Sequence, residues 1–366
     1  MKLRITFDAR WLSTGLGTYT INVLQNLRSV GDVHVHGITM SENRSKIAPL
    51  CDDCTIVDAP IYSLQEQLRV PWAARKAALL HVPHYNAPVL FPGPLLVSIL
   101  DLTHILDETY RRTWKSRLYA RPMYQAAAWR AQHIFTLSEY SKACIMKHLG
   151  VAEEKISVAH CGVGSHFLPI EEALASRIID GSLGLNRSYL LYVGHLKPHK
   201  NIPCLMRAYS SLVRSGYKEC DLVLVGEDRG GRTPLEALAR ELDLAQKVRF
   251  VPYVREEDMP ALYAAAKCLI LPSFEEGFGL PVVEAMACGT PVICSNAASL
   301  PEVAGDAALQ FDPRQDNELL ECLRRVLTDN SLRTQMRTKG VANAARFTWQ
   351  ACARVHFDVY QRMLSS

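Results

Sequence analysis

The sequence predicts an α/β protein made of two doubly wound domains, and three observations carry that expectation. The chain has 366 residues, which at roughly 100–200 residues per domain leaves room for two cores. Short apolar runs alternate with amphipathic helical stretches, the pattern left by parallel strands buried on both faces. The alternation occurs twice, so it implies two parallel sheets. In the first series, LRITF at 3–7 and VHVHGI at 33–38 alternate like strands, and 79–82, 95–99, 134–137 and 156–159 are compact apolar runs. The second series comprises 189–193, 221–225, 248–251, 268–271, 291–294 and 308–311. Between them, 168–187 holds Pro169, acidic residues, Gly181 and Gly184 and suits a linker, so domains are expected at 1–168 and 185–347. From about Asn317 the pattern is helix after helix.

Composition narrows the function classes. Hydrophobic residues make up 48% and charged residues 21% of the chain, the balance of a folded globular protein. The longest apolar candidate for a membrane span, 88–100, is interrupted by Pro92 and Pro94, and the strand-like start MKLRITFDAR lacks the apolar core of a signal peptide. A cytoplasmic chain is therefore expected. Eleven scattered cysteines, an odd number, read as buried thiols. Cys51 and Cys54 have metal or redox spacing but no second pair, and their flanks read as a loop. His34/His36 and His81/His84 lack a nearby third ligand, so no metal is expected.

Net charge is +4, with the basic excess gathered between Arg111 and Arg130. There Arg111, Arg112, Lys115 and Arg117 precede Arg121 and Arg130, interleaved with Trp114, Tyr119, Tyr124 and Trp129. Two readings stay open: a solvated helix face with Arg stems lying over aromatics, or a surface for anionic lipid or a phosphorylated acceptor. No nucleic-acid reading motif accompanies the charge.

The densest chemistry lies in the run from Pro272 to Pro291. A strand ends at Pro272, a loop with Gly277 and Gly279 follows, and a helix starts near Leu280 or Pro281, where proline loses no hydrogen bond. Such a junction offers unpaired backbone N–H groups to a phosphate. Glu276 before the helix and Glu284 one turn into it would repel phosphate, but they suit sugar hydroxyls, which donate to carboxylates.

This run resembles the Glu-x7-Glu signature of retaining glycosyltransferases of family four, which have the GT-B fold: two facing Rossmann-like domains with the active site between them. Further stretches are similar in order and spacing: Thr14-Gly15-Leu-Gly17-Thr18 to a glycine loop after the first strand, Thr136-Leu-Ser138-Glu-Tyr-Ser141 to a strand-to-helix turn, and Gly194-His195-Leu-Lys-Pro-His-Lys200-Asn201 to a diphosphate-binding segment. Leu222–Gly226, Val248–Val254 and Leu300–Gly305 resemble other landmarks. The resemblance implies that Glu284 binds the nucleotide ribose and Glu276 faces the transferred sugar. It gives Phe278, Gly279 and Leu280 backbone N–H contacts with sugar or diphosphate, and Lys200 the neutralisation of the diphosphate. Gly17 adds an N–H from the first domain, and Val254 lies by the base. It also implies acceptor binding in the first domain, donor binding in the second, and a last helix, about 348–366, crossing back onto the first domain.

Two positions depart from the family pattern. His195 stands where a second diphosphate cation, Arg, is usual. Leu100 stands where a His precedes Asp101, near the reacting sugar; Asp101 remains, and His104 follows as a substitute or as a core residue. The implied activity is metal-independent hexosyl transfer, with no cofactor, from a nucleoside-diphosphate sugar to a glycan or lipid-linked acceptor, with Arg111, Arg112, Lys115 and Arg117 meeting the acceptor or an anionic membrane peripherally. The segment 192–201 looks most like bacterial polysaccharide and O-antigen mannosyltransferases, which points to GDP-mannose. Competing readings are a non-catalytic nucleotide-sugar binder, a GT-B epimerase or phosphorylase, and a nicotinamide dehydrogenase, although Thr14–Thr18 lacks GxGxxG.

Overall fold

A computed structural model describes residues 2–12, 14–106 and 119–365. The chain divides into two compact units, Met1–Gly162 with Thr348–Ser366, and Val163–Phe347.

The first unit holds a seven-stranded parallel sheet of β1 (Leu3–Asp8), β2 (Val33–Thr39), β3 (Asp53–Ile56), β4 (Leu80–Val82), β5 (Leu95–Ser98), β6 (His133–Thr136) and β7 (Ile156–Val158), in the order β3-β2-β1-β4-β5-β6-β7. β4, β5 and β6 are buried at every residue, which is why they read as continuous apolar runs. β3 is the element that the sequence reading took for a loop. It is a short edge strand with no buried residue and the sequence DCTI, so it carries no apolar signal. Cys51 and Cys54 therefore bracket the start of a strand, and all eleven cysteines are free thiols.

A second correction concerns Gly15 and Gly17. They lie in the helix Thr14–Val30 rather than in a loop before it. Gly17 is a glycine for steric reasons: a Cβ there would sit 2.1 Å from the carbonyl oxygen of Leu12. The stretch holding Arg111, Arg112, Lys115 and Arg117 lies outside the described residues. Of its described neighbours, Arg130 donates to the carbonyls of Phe91 and Gly93, the latter at 2.7 Å, and so ties down a loop.

The second unit holds a six-stranded parallel sheet of β8 (Tyr189–Val193), β9 (Asp221–Val225), β10 (Val248–Val251), β11 (Cys268–Leu271), β12 (Val292–Ser295) and β13 (Leu309–Phe311), ordered β10-β9-β8-β11-β12-β13. The expected linker is largely a helix, Glu172–Leu183, closed by Gly184 in the left-handed region (φ 64°). It belongs to this unit, and its Glu172 pairs with Lys267 at 2.8 Å and Arg337 at 3.5 Å. Pro169 and the glycines suggested a linker, but Gly184 only ends the helix. Among the described residues no helix is long and apolar enough to cross a membrane.

In the first unit the final helix, Trp349–Ser365, packs on Thr14–Val30 through a buried polar chain whose proton positions follow from one carbonyl. His356 Nδ1 lies 2.8 Å from the Cys352 oxygen, which can only accept, so Nδ1 carries the proton. His356 Nε2 then accepts from the Tyr19 hydroxyl at 2.6 Å. Tyr19 in turn accepts from Ser98 at 2.9 Å, and Ser98 accepts from His81 Nε2 at 2.8 Å. His81 Nδ1 finally accepts from Tyr360 at 2.6 Å. With both imidazoles neutral, every donor is used once. Burial accordingly lowers both histidines, His356 to about 4.

A depressed imidazole value means that the unfolded chain takes up protons first as pH falls. Stability of this unit should therefore drop as pH falls from about 6.5 towards 4, by about 1.4 kcal/mol per pH unit for each histidine within its window. Tyr19→Phe, which leaves His356 Nε2 without a donor and the Ser98 hydroxyl hydrogen without an acceptor, should cost about 1–3 kcal/mol in urea unfolding at pH 7.

Candidate active site

In a doubly wound sheet, the crevice for ligands opens beyond the carboxyl ends of the strands where the strand order reverses. In the second unit that point lies between β8 and β11, since β8 is followed by β9 on one side and flanked by β11 on the other. The loop after β8 runs through His195 to Lys200, and the loop after β11 runs through Glu276 to the helix Leu280–Ala287.

The two loops meet in an ion pair. Lys200 Nζ lies 2.7 Å from both carboxylate oxygens of Glu276, with both side chains largely buried. Ser273 donates to the same Glu276 Oε1 at 2.7 Å and helps to fix the carboxylate. Ser299 donates to the backbone oxygens of Glu276 at 2.9 Å and Phe278 at 3.1 Å, pinning the loop between them. Asn201 holds three loops together. Its buried amide donates to the carbonyls of Pro272 at 3.1 Å and Pro313 at 2.8 Å, and its backbone is left-handed (φ 54°), a conformation that asparagine tolerates better than most residues.

Gly279 turns the loop into the helix. Its φ is 97°, and a Cβ there would meet Leu300 Cδ2 at 2.6 Å, so both backbone and space demand glycine. The first N–H groups of the helix, near Gly279 and Leu280, have no acceptor within the helix itself. Phe278 is buried, its ring 5.5 Å from that of Phe347. Glu284 projects from the next turn and accepts from the Tyr263 hydroxyl at 2.7 Å. Burial pushes its carboxyl up to about 7, the Tyr263 hydrogen bond opposes the rise, and the charge of Glu256 adds to it.

His195 sits among cations. Burial, and then Lys197, Arg229 and Lys200, hold its imidazole below the usual value. Its Nδ1 is buried without a hydrogen bond, 3.9 Å from Glu227, which pairs with Arg229 at 2.7 Å. The ring is therefore a neutral group where the resemblance would place a cation. Val254 is buried just beyond β10.

Comparison with known proteins agrees with both halves. A family described as "Glycosyltransferase Family 4" matches residues 13–166, and "Glycosyl transferases group 1" matches residues 179–342. The chain belongs to the group 1/family 4 glycosyltransferases. It is 29% identical to the O-antigen chain mannosyltransferase B of Escherichia coli, over 95% of this chain and 96% of that one. Its fold is shared with sucrose-phosphate synthase from Thermosynechococcus elongatus (TM-score 0.81, 21% identity, all of both chains). It is shared as well with HepE of Anabaena, solved in complex with UDP and glucose (TM-score 0.79, 17% identity, all of both chains). The fold is thus GT-B.

Within this glycosyltransferase the structure joins Lys200 directly to Glu276 and sets Glu284 apart on Tyr263. In the first unit, Asp101 accepts the Thr103 N–H at 2.9 Å and so caps the helix Thr103–Leu106, and His104 lies 6.0 Å from the ring of Tyr85. Leu100 contributes its backbone oxygen, which accepts from Ser141 at 3.4 Å. Sequence reasoning missed Ser273, Ser299 and Tyr263 as partners of the signature acids, and it quoted Asn201 without a role. Only Asn201, next to Lys200, carried a usable signal, because asparagine is favoured where φ is positive.

Asn201→Ala should cost about 2–3 kcal/mol, because it strands two buried carbonyls and puts a Cβ-bearing, non-bonding residue at positive φ. Urea unfolding followed by circular dichroism measures the loss; a change below 0.5 kcal/mol would mean that the loops hold together without it.

Proposed function

We propose that this glycosyltransferase is a retaining, metal-independent mannosyltransferase that moves mannose from GDP-mannose to a glycan or lipid-linked acceptor in polysaccharide assembly. The observation that carries the reading is the Lys200–Glu276 pair at the β8/β11 reversal, beside a glycine-led helix start and below a ribose-type carboxylate, Glu284. A cation, backbone N–H donors and two carboxylates are what a sugar joined to a diphosphate requires. The mannosyl donor is supported by the likeness to the Escherichia coli O-antigen enzyme, and a nucleotide-sugar donor also by the likeness to HepE, solved with UDP and glucose.

In the reaction, the acceptor oxygen forms a bond to the anomeric carbon while the bond from that carbon to the β-phosphate oxygen breaks. Attack and departure occur on the same face. The departing phosphate oxygen takes the acceptor proton, so no side chain must act as base. Catalysis then rests on positioning and on stabilising the charge that grows on the diphosphate. Lys200 passes from Glu276 to the diphosphate, and Glu276 is released to the sugar hydroxyls.

Incubation with GDP-mannose and a short mannoside acceptor should yield an α-linked product by proton NMR, at a rate that excess EDTA leaves unchanged. Use of UDP-hexoses alone would overturn the donor, and a β-linked product the stereochemistry.

Ribose hydroxyls donate to a carboxylate but not to its protonated form at full strength. With Glu284 at about 7, donor KM should fall severalfold from pH 6 to pH 8, and Glu284→Gln should flatten that dependence while raising KM throughout. The same upward shift lowers folding stability as pH rises from the ordinary glutamate value towards 7, because the unfolded chain ionises first. Tight donor binding at high pH therefore comes at the expense of stability.

A further inference from the structure

The first unit has its own reversal point. Its sheet runs β2-β1-β4, so the ligand-type crevice lies beyond the carboxyl ends of β1 and β4. The residues that follow those ends are aromatic. Trp11, after β1, and His84, after β4, have ring centres 4.3 Å apart across the reversal. Tyr62 meets Trp11 edge-on at 5.2 Å and Tyr119 edge-on at 5.5 Å. Tyr62 and Tyr119 keep 43% and 36% of their surface exposed, a large share for aromatic side chains that contact one another.

Beneath them lies a buried polar base in which one guanidinium faces two carboxylates. Arg10 pairs with both Asp8 oxygens at 2.9 Å and with Glu66 at 3.2 Å. Glu66 accepts in addition from the Asn86 amide and, at 3.0 Å, from the backbone N–H of Tyr62. Asn86 accepts from the Tyr119 hydroxyl at 2.5 Å. Tyr62 adopts φ 64°, a left-handed backbone that costs a bulky residue about 1–3 kcal/mol and persists only where its surroundings impose it. Here Glu66 imposes it, so the base aims the Tyr62 ring.

The chemistry of this surface selects its ligand. Two carboxylates surround one guanidinium, so the base carries no surplus cation for a phosphate. The hydrogen-bonding groups at the rings are neutral: the Tyr62 and Tyr85 hydroxyls, 3.1 Å apart, the Tyr119 hydroxyl oxygen, and His84. His84 Nδ1 accepts from the Asn86 N–H at 3.0 Å, which leaves Nε2–H as the ring's donor. Aromatic faces carry negative charge density and attract the weakly positive C–H groups of a pyranose. We propose that this cluster of Trp11, Tyr62, His84 and Tyr119 is a stacking subsite for a neutral sugar ring of the acceptor, an assignment that rests on the glycosyltransferase reading and names its acceptor class.

Saturation-transfer NMR with a neutral mannotriose tests binding without turnover. Ring C–H protons of the mannotriose should receive saturation from the wild-type protein. Tyr62→Gly, which accepts the positive φ, and Trp11→Leu should each weaken that binding about tenfold. With mannotriose as acceptor, both variants should raise acceptor KM about tenfold, with the change falling on the acceptor rather than on donor KM. Unchanged binding in both variants would overturn the proposal. So would binding of only a lipid-diphosphate analogue, or a rise confined to donor KM. If mannotriose binds and the variants lose it while no sugar nucleotide is used, the subsite stands and the transferase reading falls.

Discussion

The ion pair between Lys200 and Glu276 can form only because the second sheet reverses between β8 and β11. Parallel strands buried on both faces are a poor place for charge, so charged groups collect where strands end. Adjacent strands that continue in one direction are followed by helices that cover those ends; at the reversal the helices part. Lys200 leaves one strand and Glu276 the other, and the gap between their loops is short enough for both carboxylate oxygens to reach the amine at 2.7 Å. Ser273, Ser299 and Asn201 hold that geometry by bonding loop to loop. The first sheet repeats the arrangement between β1 and β4 with different contents: a buried Asp8–Arg10–Glu66 group carrying aromatic rings.

What the sequence revealed follows from which signals are local. β8 to β13 were readable to within a residue at each end because their apolar runs are continuous, while β3 escaped because an exposed edge strand carries no such run. Glu276 and Glu284 stood out because a signature of fixed spacing contains them, and Lys200 because it lies in a second such stretch; the structure brings Lys200 and Glu276 together. Trp11, Tyr62, His84 and Tyr119 did not stand out, since they lie far apart in the chain and only the strand order assembles them. Gly15 and Gly17 misled in the opposite sense: glycines after a first strand suggest a loop, yet Gly17 serves the close approach of a helix to Leu12. The buried chain from Tyr360 to Cys352 was equally unreadable, because histidines at 81 and 356 show no relation until a helix brings them together.

The departures from the family pattern also have physical consequences. A neutral His195 leaves Lys200 as the cation closest to the signature acids, and Glu276 already holds that lysine. Removing either partner from such a largely buried pair would leave the other charge exposed to a low dielectric. Burial first, and then nearby Lys197, Arg229 and Lys200, lower the His195 imidazole, which spares the site a further cation packed against these three.

Under the proposed reaction, this economy makes the Lys200–Glu276 pair part of the donor's recognition. A diphosphate that draws Lys200 away from Glu276 leaves a carboxylate that is held by Ser273 and buried without its cation. That state is costly unless something donates to it. Sugar hydroxyls donate to it; a bare nucleoside diphosphate has none at that position. The exchange therefore favours a diphosphate that carries a sugar over one that does not, and after transfer the Lys200–Glu276 pair can re-form as the nucleotide leaves. Under that reaction, one salt bridge serves both selection of the substrate and release of the product.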